Sequence, residues 1–433
     1  MKTNRAYCPD CGPATVSHRA EWLSAFFDSA FSPFVAVFEF IWRNIGAVFY
    51  RLPVEKFAVP LLKALVVLRV AKFTDKLDAE DNLRTQALWE SAEKRGIALS
   101  QFRLFGNPHA SFIVARRGNA VRVFDGLPRV ERIPSSSLKW MDNKSVMRKK
   151  FLEEGIPVAN GGTCFTFSKA LKVFRGIEKP AIIKPHIGSR SRHTFMHINT
   201  EKDLVSVFCK AKQLSPWVII EEELEGMVFR ASVVAGKLAG VIRREPPHVI
   251  GDGVSTVRSL AEKGNKNPLR KGPIFHEIPL DGEAHAELRW QNLSWDSVPP
   301  RGAIVTLNQK VSRSYGAVTS DMTAVAHPEN VKLFEKIARV LGDSLVGIDF
   351  IIKDISKPWM KTKRCGVIEC NSLPFLDLHH YPFTGTPRDA AGILLDAVFP
   401  ARANSPSVRK SDIHPSSDFK NSFRRGSMST PLK

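Results

Sequence analysis

Two short phrases late in the chain constrain the fold most. GIDFI (347–351) and VIECN (367–371) are apolar runs that carry Asp349, Glu369 and Asn371. Successive strand residues face opposite sides, so Glu369 and Asn371 share one face, and Asp349 joins them from an adjacent strand. Cys370 points the other way, toward a core. Three oxygen donors at strand ends suit Mg2+, which takes its remaining ligands from water and phosphate. The plainer alternative is a polar strand end facing solvent.

Around these phrases, from 142 to 400, helices alternate with Val- and Ile-rich strands. The pattern predicts strands at 181–184, 218–221, 229–234, 237–243, 345–352 and 366–370. Helices are predicted at 144–154, 201–212, 256–263 and 328–341. Mixed order of this kind argues for an α+β or α/β fold. Lys144 opens a helix after Asp142 and Asn143, and Lys184 ends the run AIIK before Pro185. A lysine at a strand end beside a turn can reach a phosphate as a point charge. The loop HIGSRSRHTF comes next, with one glycine and the basic residues Arg190, Arg192 and His193. Each of these alone reads as an ordinary surface side chain.

The chain has 433 residues, room for two or three domains. Its net charge of +20 favours anionic partners without choosing among them. The excess is spread along the chain, and no nucleic-acid-binding signature accompanies it, so nucleic acid is not expected. The N-terminus lacks an apolar signal region, and the expected compartment is reducing and cytoplasmic. Cys8 and Cys11 form a single CxxC with His18 nearby. A structural zinc site usually draws on two such pairs, so the expectation is two free thiols on a flexible end.

Residues 21–73 are dense in Phe, Trp and Val, but Asp28, Glu39, Arg43 and Lys63 interrupt every run, so a spanning helix is not expected. Two readings stand open: peripheral contact with a membrane surface, or burial against the protein itself or a twin subunit. Pro53 and Pro60 are expected to break this segment into short helices. Residues 75–141 read as a small α/β module. Leu83, Ala87, Leu88 and Ala92 recur at helical spacing before Gly96, and Arg117-Gly118-Asn119 divides a hairpin. The module is too small to stand alone and should pack on the larger region C-terminal to it. Beyond Pro400 the chain is rich in Ser, Pro and Arg, and disorder is expected over 401–433.

In sequence, Asn143-Lys144, IIKP with its Gly/Ser/Arg loop, IIEEELEG, GIDF and IECN together resemble the ATP-grasp superfamily. Within it, the cyanophycin synthetase, glutathione synthetase and D-alanine ligase groups are most similar. PPHVIGDGVSTVRSL and the stretch from GVIECN through HHYPFTGTPR extend the likeness over 142–400. The resemblance implies an α+β ATP-grasp fold, in which two lobes clasp ATP behind a small preceding domain. It implies a ligase joining a small-molecule or peptide carboxylate to an amine with ATP and Mg2+ or Mn2+.

The resemblance also implies roles, residue by residue. Lys144 and Lys184 would contact the phosphates, with Gly188, Ser189 and Arg190 in a loop, closed by His193, that covers them. Glu221, Glu222 and Leu224 would flank the adenine. Arg230 and Arg244 would face the transferred phosphate, and Arg388 a substrate carboxylate. Asp349, Glu369 and Asn371 would hold metal. Val228 departs from the pattern, standing where the family usually has an acid for the ribose, a contact that Glu223 or Glu225 could take over. RSYGA at 313–317 replaces a more glycine-rich phrase. No Mur-ligase-like second module is seen after the grasp region, so an enzyme other than cyanophycin synthetase itself is expected. His379 and His380 beside Asp377, and His248 and Asp252, read first as loop-shaping groups. The competing class is a nucleotide-binding or membrane-surface scaffold without turnover.

Overall fold

The computed structural model describes Cys8, Cys11 and residues 17–27, 54–78, 81–105, 107, 112–130, 140–141, 143–186 and 192–400. The loop residues Gly188, Ser189 and Arg190, residues 28–53 of the 21–73 segment and the 401–433 tail lie outside them. The described residues up to Phe399 form one compact unit.

Helix α1 covers residues 18–27. Phe26 of α1 stacks between Trp22 and Trp217, at centroid distances of 5.6 and 6.4 Å, and Ala25 is buried. The described end of the aromatic segment is therefore packed on its own protein. Helix α2 (Val54–Val67) runs through Pro60. The expected break does not occur there. Proline costs a helix one backbone hydrogen bond, and Pro60 lies exposed, where water can serve the carbonyl left behind. Among the described residues no helix is long and apolar enough to cross a membrane.

Strand β1 (Ala71–Thr74), helix α3 (Leu83–Glu93) and strands β2 (Ala98–Leu104), β3 (Phe112–Arg117) and β4 (Ala120–Phe124) come next. The four strands form an antiparallel meander in chain order. The hairpin is the expected one, turning at Gly118 with φ 55°. One face of the meander and α3 share a core with the last helix of the unit, through Leu88, Ile113, Leu394 and Leu395. Arg95 reinforces that contact, bonding Asp389 at 2.7 Å and Asp396 at 2.9 Å. Dependence on later residues is what so small a module requires.

Helix α4 (Lys144–Glu153) leads into β5 (Gly161–Cys164), α5 (Phe167–Arg175), β6 (Ala181–Pro185), β7 (Phe195–Ile198), α6 (Glu201–Ala211) and β8 (Val218–Glu222). The strands form an antiparallel sheet in the order β5-β8-β6-β7. Alternation decides its two faces. Ala181, Ile183, Val218 and Ile220 face α5 and α6 in a closed core. Lys184, Ile219 and Glu221 face the other way.

The remaining strands are β9 (Met227–Val234), β10 (Lys237–Glu245), β11 (His248–Ile250), β12 (Ile304–Thr306), β13 (Val318–Asp321), β14 (Leu345–Ile352) and β15 (Gly366–Asn371). Five of them form an antiparallel sheet, β13-β10-β9-β14-β15. Helices α7 (Val257–Asn265) and α8 (Gly282–Trp290) pack with β11 and β12 as a separate insertion. Helix α9 (Pro328–Leu341) covers one face of the five-stranded sheet, where Phe334 meets Phe350 edge-on at 5.5 Å. Helices α10 (Asp377–His380) and α11 (Ala390–Val398) end the unit.

The crossing from the first sheet to the second is made at Gly226. Its φ is 125°, and a Cβ there would collide with the backbone of Ile352. Gly226→Ala is expected to lower the unfolding free energy by about 1–3 kcal/mol, the scale of a forced backbone outlier. Urea unfolding measures this, and a loss below about 0.5 kcal/mol would contradict the close approach.

Candidate active site

The five-stranded sheet has one greasy face and one charged face. Phe229, Ala231, Ile348, Phe350 and Cys370 point into the core under α9. By alternation Arg230, Asp349, Glu369 and Asn371 point away from it. Register brings them together: Asp349 stands opposite Arg230 on β9 and opposite Glu369 on β15. Arg230 Nε and Nη2 donate to Asp349 Oδ1 and Oδ2 at 2.6 and 2.7 Å, a two-pronged pair that is almost fully buried. Arg244 adds Nη1 to Asp349 Oδ2 at 3.4 Å and Nη2 to the Val311 carbonyl at 3.1 Å. Burial pushes the Asp349 carboxyl up, but Arg230 and Arg244 outweigh it and hold the group below its ordinary value. Asp349 is therefore an anion at neutral pH.

Asn371 completes the cluster. With its amide nitrogen donating to Glu369 Oε1 at 2.9 Å, its oxygen accepts from Arg230 Nη2 at 3.2 Å. Glu369 is exposed. Gly347, one pair along, leaves space for Arg230: a Cβ there would stand 2.7 Å from Pro374 and 3.2 Å from Arg230 Nη1. Two buried guanidinium donors, Arg230 Nη1 and Arg244 Nε, have no partner among the described residues. Buried donors left unpaired are costly, and an anion on this face would satisfy them.

The second part of the site is a cleft between the sheets. Lys144, Lys184, Glu221, Thr163, Val367 and Ile368 line it. Asn143 caps α4, its side chain accepting from the amides of Ser145 and Val146 at 3.2 and 3.1 Å. The same oxygen receives His186 Nε2 at 3.1 Å, which ties the start of α4 to the end of β6. Lys144 and Lys184 meet in one cleft for that reason. Burial, then the charge of Lys144, push the His186 imidazole down, so it is neutral at physiological pH. Lys184 is ion-paired with Glu221.

The segment after β8 is pinned in a way the sequence does not announce. Arg364 donates from Nε to the Glu223 carbonyl at 2.9 Å, and to the Lys179 and Pro180 carbonyls at 2.8 and 3.0 Å. The amides of Glu222, Glu223 and Glu225 donate to the Asn160, Pro180 and Arg364 carbonyls. The Leu224 amide makes no such bond among the described residues. Glu222 Oε1 accepts from Asn160. Glu223 is held by His197 at 3.0 Å, and Glu225 by Lys353. Val228 shares the charged face with Arg230, and the two acids that could replace its missing carboxylate are thus already engaged.

Other candidates fall outside this cluster. Arg388 pairs with Asp321 at 2.9 Å on β13, at the far edge of the same sheet. His379 is buried, its Nε2 2.8 Å from Ser232 Oγ. Burial, then the charges of Arg230 and His380, push it down to about 3, so it is neutral. His380 Nε2 accepts from the Ala391 amide. Asp377 pairs with Arg313 of the RSYGA phrase at 2.9 Å. Asp252 accepts from the Val254 and Ser255 amides, which hold it down at about 2, and so shapes its turn. Cys8 and Cys11 are free of disulfides, as the expectation of two free thiols has it, but they do not stand alone. Both sulfurs lie within 3.4 Å of His193, from a distant part of the chain.

No protein-family profile matches the chain. It is 29% identical over 330 residues to a cyanophycin synthetase of Nostoc sp. strain PCC 7120, covering 75% of this chain and 36% of that protein. A cyanophycin synthetase of Synechocystis sp. is 33% identical over 255 residues, 58% of this chain and 29% of that one. The bifunctional glutathione biosynthesis protein GshAB of Listeria innocua is 29% identical over 330 residues, covering 74% and 42%. The chain thus spans well under half the length of these relatives. Among solved structures, a bifunctional glutathione synthetase from Pasteurella multocida superposes with a TM-score of 0.56 at 24% identity, covering 74% of this chain and 44% of that one. These relatives support the resemblance to ATP-grasp ligases, and the mixed α/β architecture, with its two sheets flanking a lysine-lined cleft, is similar in fold to that glutathione synthetase.

Proposed function

We propose that the chain is an ATP-dependent carboxylate–amine ligase that works through an acyl phosphate. The observation that carries this reading is the charged face itself. Buried guanidinium donors without partners among the described residues stand beside three oxygen donors, next to a cleft with two lysines. No nucleophile–base pair is needed for such chemistry. A carboxylate oxygen attacks the γ-phosphorus of ATP, and ADP leaves. The amine then attacks the acyl carbon, loses a proton, and inorganic phosphate leaves.

The residues divide the work. Ile368 and the Leu224 amide suit an adenine, flanked by Glu221 and Glu222. Lys144 and Lys184 suit the phosphates, with Gly188, Ser189 and Arg190 above them. Arg230 and Arg244 neutralise charge that builds on the transferred group. Arg388 is placed to meet an acid substrate only if it leaves Asp321. Asp349, Glu369 and Asn371 are an all-oxygen set that fits Mg2+ or Mn2+, and the metal would supply charge neutralisation at the phosphates. In this reading 75–141 is the small preceding domain and 142–400 the grasp domain. Residues 21–73 are a hydrophobic helical segment that meets protein or a membrane surface, and 401–433 a basic tail. Both substrates are small molecules or peptides, the compartment is the cytoplasm, and a homo-oligomer is compatible with it.

ADP and phosphate release from Mg-ATP, measured against a panel of carboxylates with and without amines, tests the reading. Release is expected only with a particular acid, and Glu369→Gln should lower it by at least about 100-fold. Mg-ATP binding without release for any acid–amine pair would favour the scaffold; no Mg-ATP binding would overturn both.

The two metal-side controls should differ in stability. Asp349→Asn leaves Arg230 buried without its counter-charge and should cost about 3–5 kcal/mol. Glu369→Gln, on an exposed side chain, should change stability by less than about 0.5 kcal/mol. Equal urea midpoints for the two variants would contradict the role given to the ion pair. Lys184→Met should weaken ATP binding by roughly 10–100-fold, the loss of one charge-assisted contact of about 1.5–3 kcal/mol. Unchanged affinity by calorimetry would remove Lys184 from the phosphate site.

A further inference from the structure

Four metal-ligating side chains, none of them among the residues that line the cleft, meet at one point. Cys8, Cys11 and His18 come from the N-terminal arm. His193 comes from the turn just after residues 187–191. One ligand atom from each lies within 4.8 Å of all the others. Cys11 Sγ is 3.1 Å from His18 Nε2 and 3.3 Å from His193 Nε2, and Cys8 Sγ is 3.4 Å from His193 Nε2. We propose that Cys8, Cys11, His18 and His193 form a closed structural zinc site that clamps the N-terminal arm onto the β5–β8 sheet.

The distances fit such a site. A tetrahedron with Zn–S of about 2.3 Å and Zn–N of about 2.0–2.1 Å has sulfur–nitrogen edges of about 3.6 Å. The three observed separations, 3.1, 3.3 and 3.4 Å, are shorter than that by at most about half an ångström. Hydrogen bonding alone explains them poorly. His193 Nδ1 donates to the Lys210 carbonyl at 2.7 Å, because a carbonyl can only accept. In the neutral ring Nε2 then carries the lone pair, and that one lone pair faces two sulfurs. An imidazole fixed by a carbonyl on its far nitrogen is how metal-bound histidines are usually held.

Local structure supplies the rest. The Cys11 amide donates to the Cys8 carbonyl at 3.1 Å, a tight turn that brings both sulfurs to one side. Both cysteines are unbridged. The His18 and His193 rings meet edge-to-face at 4.9 Å. His193 has φ 50°, a left-handed backbone that a residue with a Cβ adopts at a cost. Cys11 and His193 are buried, so the four protein ligands leave no open position and the site is structural. Two thiolates and two imidazoles select zinc over Mg2+ or Ca2+. Binding releases the two thiol protons to solvent, and the dication with two thiolates is neutral.

The site's position gives it a task. Two neighbouring contacts hold the same arm: Glu21 pairs with Arg192 at 3.4 Å, and Phe26 stacks on Trp217. The metal would join residues 182 positions apart in the chain, Cys11 and His193. It would thereby fix the backbone at Arg192 and His193, just before β7.

The test uses the full chain, purified without a histidine tag or chelator. Elemental analysis should find about one zinc per chain, and Cys8→Ser with Cys11→Ser together should abolish it. X-ray absorption at the zinc edge of the wild-type protein, which needs no variant to fold, should show two sulfur and two nitrogen neighbours. Cobalt(II) in place of zinc should give tetrahedral visible bands with a thiolate charge-transfer band that halves in Cys8→Ser. Zinc at background level, a Cys8–Cys11 disulfide by mass, or zinc retained with His193→Ala and an unchanged sulfur count would each overturn the proposal.

Discussion

The two-pronged ion pair between Arg230 and Asp349 organises the second sheet. Both partners are nearly fully buried, and two bonds of 2.6 and 2.7 Å join them across neighbouring strands. A buried charge pair is a weak source of net stability, because removing two ions from water costs several kcal/mol each. Its force is in what it forbids. A one-residue slip of β9 against β14 would send one charge into the core under α9 and leave the other alone. The pair thus locks the register that also places Glu369 and Asn371 beside it. Gly347 is part of the same arrangement, since a side chain there would press on Arg230.

The sheet separates two kinds of chemistry by a period of two. Phe229, Ala231, Ile348 and Phe350 form a dry layer with α9, which supplies hydrophobic stabilisation. Between them in sequence lie the charged groups of the opposite face. That face is under-satisfied: two guanidinium donors are buried without partners among the described residues. A fold tolerates such donors where a ligand completes them, and a phosphate or carboxylate has the right charge and geometry. The first sheet uses the same device with Ile183 and Ile220 inside and Lys184 and Glu221 out.

Long-range contacts then hold the parts in position. Asn143 both caps α4 and receives His186, and so sets two lysines in one cleft. Arg364 gathers carbonyls from Lys179, Pro180 and Glu223 and fixes the segment where the chain leaves β8. The N-terminal arm is fastened by an aromatic stack, an ion pair and the Cys–His cluster.

Much of this is legible in the sequence, for local reasons. Strand β14 and helix α9 run over the residues that periodicity indicates, because alternation and helical spacing are written in neighbouring residues. The common face of Glu369 and Asn371, and the inward turn of Cys370, follow from the same rule. Pro60 reads as a break and is not one, because propensity ignores where a helix face meets water. The partner of Asp349 cannot be read at all: strand order decides that Arg230 stands opposite it, 119 residues away. Arg364 gives no signal, since it acts through carbonyls that every residue possesses. Cys8, Cys11 and His18 look one ligand short, because the fourth lies 182 residues beyond Cys11. Sequence by itself determined which residues lie on each face of each element. Only the tertiary structure decided which faces meet, because that depends on strand pairing and on packing between elements far apart in the chain.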